Sequence, residues 1–179
     1  MNFDPTKPNN LILLNKNELP EYWHLIRLGL KYMIDNKRNP DGWTIESVFN
    51  ALLHEKASCV FTSIHRNKKK RGRKAEQEPS TTYASRHEAL EDSCGFGIVQ
   101  VLDGPDGKTF HIWIAVSNDT TNKQEAPSIL TTFHKEVWDA ARANGCKFIS
   151  FGTNQDWWET LAPRFGFEKQ EVKWRTEIK

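Results

Sequence analysis

The chain has 179 residues, 37% hydrophobic and 27% charged, with a net charge of +2. That is enough for one domain with a sizeable core, and no apolar run approaches the roughly 18 residues of a membrane span. The first ten residues, MNFDPTKPNN, lack the basic-then-apolar pattern of a secretory signal. Cys59, Cys94 and Cys146 are odd in number and widely spaced, giving neither a metal pattern nor a disulfide framework. The expectation is a reducing, cytoplasmic setting, with no membrane, no metal, and cysteines serving as small buried hydrophobes.

In chain order, NLILL (10–14) suits a buried strand. A helix opens at Asn17 or Glu18 with Pro20 in its first turn, and Trp23, Ile26, Leu30, Met33 and Ile34 recur on one face. NPDGW (39–43) is a turn, after which Thr44 caps a helix with Ile45, Val48, Phe49 and Leu52 inward. SCVFTSI (58–64) and GFGIVQVL (95–102) are strands, and DGPDG (103–107) turns the chain into an antiparallel TFHIWIAV (109–116). Ser128 caps a long helix whose Ile129, Phe133, Val137, Ala140 and Ala141 share a face, ending at Gly145. KFISF (147–151) is a strand, and the strand–helix–strand return implies parallel pairing. A short helix over 156–167 is stopped by Pro163 and Gly166, and EVKWRTEI (171–178) alternates like an edge strand. The sum is a single α/β (α+β) domain over 1–179, a mixed sheet of six to seven strands flanked by about four helices.

Charge is distributed unevenly. RNKKKRGRK (66–74) holds seven basic residues, Arg66, Lys68, Lys69, Lys70, Arg71, Arg73 and Lys74. Removing those seven from a net of +2 leaves the rest of the chain at −5. With the polar stretch that follows, 66–93 reads as an inserted loop, mobile unless a partner orders it. Such a run is either a solvated, self-repelling loop or a contact for polyanions, nucleic acid or an acidic protein, that does not read sequence. RGRK also resembles the core of AT-hook minor-groove binders, with Lys74 where a Pro normally follows. Seven Trp and ten Phe concentrate apolar area in aromatic rings. Trp157, Trp158 and Trp174 are expected to pack the sheet and its last helix rather than form an exposed patch.

The order of elements, with HIWIAV, ARANGCKFISF and WWETLAPRFGF leading to a final strand, resembles the GNAT superfamily of acyl-CoA-dependent N-acetyltransferases. The resemblance covers most of the chain; residues 66–93 have no counterpart in it. It implies an acetyl-CoA site between the fourth strand and the long helix, with Val116, Lys123, Gln124 and Ser128 as its contacts. Degenerate sequences of this kind with Trp-rich ends also resemble small tailed-bacteriophage proteins, some of which travel in the virion and assemble with other proteins.

Two departures weigh against activity. The family's loop at this point carries glycines whose backbone N–H groups hold a pyrophosphate at the helix N-terminus. Here TTNKQEAPSIL has Pro127, which donates no N–H, and Glu125, which repels phosphate. The tyrosine that in the family protonates the departing thiolate is replaced by Ala162. Candidate bases are His111 on the fourth strand and His134 on the long helix. The sequence therefore favours a GNAT-fold, acetyltransferase-like protein with little or no catalysis, working by binding and using no cofactor. On that reading acetyl-CoA binds no better than about millimolar. The alternative is an active acetyl-CoA-dependent N-acetyltransferase with a divergent loop.

Overall fold

The computed structural model describes residues 3–7, 9–39, 41–64, 83–117, 129–153 and 156–170. Their β-branched and aromatic runs form one five-stranded sheet in the order β1-β2-β3-β4-β5. β1 (Asn9–Leu13), β2 (Ser58–Ile64), β3 (Ser93–Leu102) and β4 (Thr109–Ser117) pair antiparallel, and β5 (Phe148–Phe151) lies parallel to β4. This register puts the starts of β1 and β3 and the ends of β2 and β4 at one end of the sheet, while β5 stops opposite Ile112 of β4.

Helices cover both faces. α1 (Leu19–Asp35) follows a 3-10 turn at Lys16–Glu18. α2 (Ile45–Leu53) is capped as expected: the Thr44 hydroxyl accepts from the Ser47 N–H at 3.1 Å. Ile26 and Leu30 of α1 and Val48 and Leu52 of α2 pack on one face against Ile12, Phe61, Phe96 and Ile98. α4 (Ile129–Thr132) and α5 (His134–Ala143) cover the other, where Ile129, Phe133, Val137, Ala140 and Ala141 meet Leu11, Val60, Val99, Phe110 and Ile112. Each of those helix residues is one that helical spacing placed inward. No helix among the described residues is long and apolar enough to cross a membrane.

Three expectations are corrected. The sheet has five strands among the described residues, not six or seven. Phe167, the last residue of the short helical stretch expected over 156–167, donates its N–H to the Ala162 carbonyl at 3.2 Å and packs on Trp138 and Phe151; residues 171–178, where a further strand is expected, lie outside the described ones. The inserted loop does not extend to 93: Tyr83 is buried and α3 (Arg86–Glu91) follows, with Ala89 and Leu90 in the core. The long helix is interrupted at Phe133 (φ −116°, ψ 23°), although Phe133 N–H still donates to Ile129 and Val137 N–H to Phe133. α6 (Trp158–Leu161) tightens into a 3-10 turn at Ala162–Phe165, since Pro163 has no N–H to continue an α-helix. Gly145 (φ +67°) and Gly166 (φ +78°) end their helices in the left-handed conformation glycine tolerates.

Candidate functional site

Alternation along TFHIWIAV would put Phe110, Ile112, Ile114 and Val116 on one face. The fold divides them. Phe110 and Ile112 pack under α5, whereas Ile114 and Val116 join Phe96 and Leu30 on the α1 side. The cause is a β-bulge: Val99 opposes Ile112 and Ile98 opposes Ile114, so Trp113 is an extra residue on β4. The parallel ladder to β5 ends at the same place, with Ile112 opposite Phe151 as its last rung. β4 then continues through 113–117 paired with β3 alone, and among the described residues no strand lies along its other edge.

A strand edge of this kind offers backbone donors and acceptors to a narrow, extended ligand. α1 packs tightly on the face beside it: a Cβ on Gly29 would lie 2.5 Å from Phe96 Cε1 and 2.9 Å from Val116 Cγ1. Beyond β5, the Asp41 carboxylate of the α1–α2 connection lies 3.9 Å from where a Cβ on Gly152 would stand. That places a negative charge at the end of the sheet where β4 and β5 part.

His111 stands at the root of this edge. It is the register partner of Ser150 on β5, one rung before the last, and its Nδ1 is 2.9 Å from Ser150 Oγ. Both side chains are half-buried. His111 points away from the α5 face that takes its neighbours Phe110 and Ile112. His134 is elsewhere, exposed on α5 with its ring 4.7 Å from Trp138 and 6.1 Å from Phe165. The two candidate histidines are therefore on opposite faces. Val116 is buried in the α1-side core, so only its backbone belongs to the edge. Lys123, Gln124 and Ser128, with Glu125 and Pro127, lie outside the described residues, as do the seven cations of 66–74 and Trp174. Ala162 is half-buried at the start of its 3-10 turn. Trp158 packs 4.8 Å from Phe151, and Trp157 stacks on it at 4.6 Å while remaining 52% exposed.

Electrostatics concentrates around α3. Arg86 of α3 donates to both carboxylate oxygens of Glu18, at 3.0 and 2.8 Å, and to the Leu13 carbonyl at 2.7 Å. The hydrogen bonds from Arg86 hold the Glu18 carboxyl below its usual range, against the opposing effect of burial. Burial pushes the Tyr83 phenol up to about 12, and its hydroxyl donates to Asp92 at 3.3 Å. Cys59 is buried and its thiol is pushed far up, as suits a core residue; Cys94 and Cys146 are only partly covered. Among the described residues no three His, Cys, Asp or Glu side chains are grouped to hold a metal. Sequence reasoning missed Ser150, Asp41 and the Trp113 bulge. Ser150 and His111 are 39 residues apart, and only strand register joins them.

No family model matches the chain, and no curated protein matches its sequence. Solved structures do resemble it. An aminoglycoside acetyltransferase from an uncultured soil metagenomic sample, in complex with sisomicin, superposes with TM-score 0.59 at 13% identity, over 96% of this chain and 97% of that one. A predicted acetyltransferase with acetyl-CoA from Clostridium acetobutylicum gives 0.56 at 10% identity, over 94% and 96%. Glucosamine-6-phosphate N-acetyltransferase from Arabidopsis thaliana gives 0.51 at 11% identity, over 97% and 100%. The fold of this chain is the GNAT acetyltransferase fold.

Proposed function

We propose that the chain binds an acyl-coenzyme A along the open edge of β4 and passes its acyl group, slowly, to an amine. The observation that carries this is the coincidence of the Trp113 bulge with the last β4–β5 rung, after which 113–117 pair, among the described residues, with β3 alone. The extended, amide-bearing pantetheine arm suits that edge. This departs from the expectation drawn from the loop alone, because on this reading the strand edge, and not a glycine loop, supplies most of the hold. When bound, acetyl-CoA supplies an acyl group activated as a thioester.

The chain's own residues then divide the work. Backbone groups of 113–117 hold the arm, and Lys123 is the cation of the loop nearest in sequence to the phosphates. His111 accepts the proton of the attacking amine. Asp41 draws a cationic amine toward the end of β5, and the sisomicin complex of the structural relative makes an aminoglycoside a sensible acceptor probe. Ala162 brings no hydroxyl to the leaving thiolate, which makes turnover slow. With acetyl-CoA and sisomicin, the protein should release free thiol. His111→Gln should reduce that rate by about 100-fold and Ala162→Tyr should raise it by about 10-fold or more. Thiol release unaffected by His111→Gln would remove His111 from the reading.

A second reading is favoured by residues 66–74. Seven cations on an otherwise acidic body suit a protein that works by binding a polyanion, nucleic acid or an acidic partner, with or without turnover.

A further inference from the structure

We propose that the face carrying Leu102 and Phe148 is a docking surface for a second copy of this chain, packed about a two-fold axis that runs along β4 at Thr109. Register sets Leu102, Thr109 and Phe148 in one row across β3, β4 and β5, and register partners share a face of the sheet. Leu102 is 43% and Phe148 44% exposed, so the row is an apolar strip open to solvent. Charge says what covers it. Asp103 follows Leu102 at one end of the row, and Lys147 precedes Phe148 at the other, its ammonium 5.1 Å from the ring. Both are exposed, and neither forms an ion pair among the described residues; the Lys147 ammonium donates to the Asp106 backbone carbonyl at 3.4 Å. An interface between two identical copies must be self-complementary, residue i meeting j and j meeting i. A two-fold axis along β4 exchanges the two ends of the row. It lays Leu102 of each copy on Phe148 of the other and sets Asp103 against Lys147 twice. Asp106 and Lys108 of the same hairpin are exposed as well, so acids and bases balance there and the strip does not suit an anionic membrane. Two residues farther along the strands, on the same face, stand Gln100, His111 and Ser150. The second copy therefore borders the candidate base.

Analytical ultracentrifugation of the full chain reads the assembly. The mass should rise from one chain to two as concentration passes through roughly tens of micromolar, as suits a small, transient interface. Phe148→Ser should weaken the association by about tenfold or more. Val101→Ser should leave it unchanged: Val101 is 42% exposed beside Leu102, but it faces the α5 side with its register partner Phe110. Asp103→Lys and Lys147→Asp should each be monomeric alone, because two copies of either would oppose like charges twice. An equimolar mixture of the two variants should recover the dimer, because the mixed pair opposes unlike charges twice. All of these positions are exposed, and unchanged melting curves show that the variants are folded. A chain that stays single up to roughly millimolar concentration overturns the proposal. So does a dimer indifferent to Phe148→Ser or to either charge reversal, or a mixture that stays monomeric. Recruitment of a monomeric chain to vesicles of anionic lipid would give the strip to a membrane and overturn it as well.

Discussion

Gly95 marks a place where two strand backbones come unusually near: a Cβ there would press on the carbonyl oxygen of Val116. Backbone cannot swing aside as a side-chain tip can. Gly95→Ala should therefore cost about 2–3 kcal/mol and lower the melting temperature by roughly 5–10 °C, whereas Gly97→Ala should cost less. There the obstacle is Ile129 Cδ1, at 2.8 Å, the end of a flexible chain. Thermal unfolding of the two variants settles it, and equal melting temperatures would contradict the contact. At this scale the core was readable. Ile26, Leu30, Val48, Phe133 and Val137 follow helical spacing and are all buried. The proton partner of His111 was not, because no local pattern announces a contact 39 residues away. Nor was the bulge: every residue of FHIWIAV but His111 is apolar, so only the face to which each residue goes reveals that Trp113 is extra.

α3 shows how a short element escapes a reading by periodicity. RHEALE has two apolar residues, Ala89 and Leu90, too few for a helical stripe, and it follows a polar run. Its order comes from elsewhere: Ser85 Oγ accepts from the Glu88 N–H at 3.1 Å, Leu90 is buried, and Arg86 clasps Glu18. The broken helix at Phe133 and the 3-10 turn after α6 belong to the same class, local geometry decided by packing and by one proline. The clasp has a pH signature. The folded-state pKa of Glu18 lies below its ordinary 4.5, so the pair contributes its stability above that pH. The contribution is lost as pH falls through the lower folded value. Arg86→Met should cost about 1–2 kcal/mol near neutrality, and the gap to wild type should narrow on acidification below about pH 4.5. A gap that stays constant down to pH 3 in urea titrations would deny the pair this role.

For the whole molecule, the informative fact is what the sheet gathers at one end. β2 ends there at Ile64, just before the basic segment, and β4 at Ser117, just before the loop of Lys123 and Gln124, while β5 stops short of it, opposite Ile112. The five strands and the helices other than α3 were legible because each carries a clear apolar pattern or a strong cap or turn at its end. That the ends of β2 and β4 share one end of the sheet was not, since it depends on register across the sheet. If four to six of the seven cations engage duplex phosphates, log affinity should fall with log salt at a slope of roughly −4 to −5. Lys69→Ala, Lys70→Ala and Arg71→Ala together should cut that slope by about two to three, and no base preference should appear. Binding indifferent to the triple substitution would leave 66–74 as a solvated run. The central claim, an acyl-coenzyme A held along β4, is tested most directly by calorimetry with acetyl-CoA. One site near 100 µM, about −5.5 kcal/mol, competed by S-acetylpantetheine lacking all phosphates, is the predicted result; no heat and no competition up to several millimolar would contradict it.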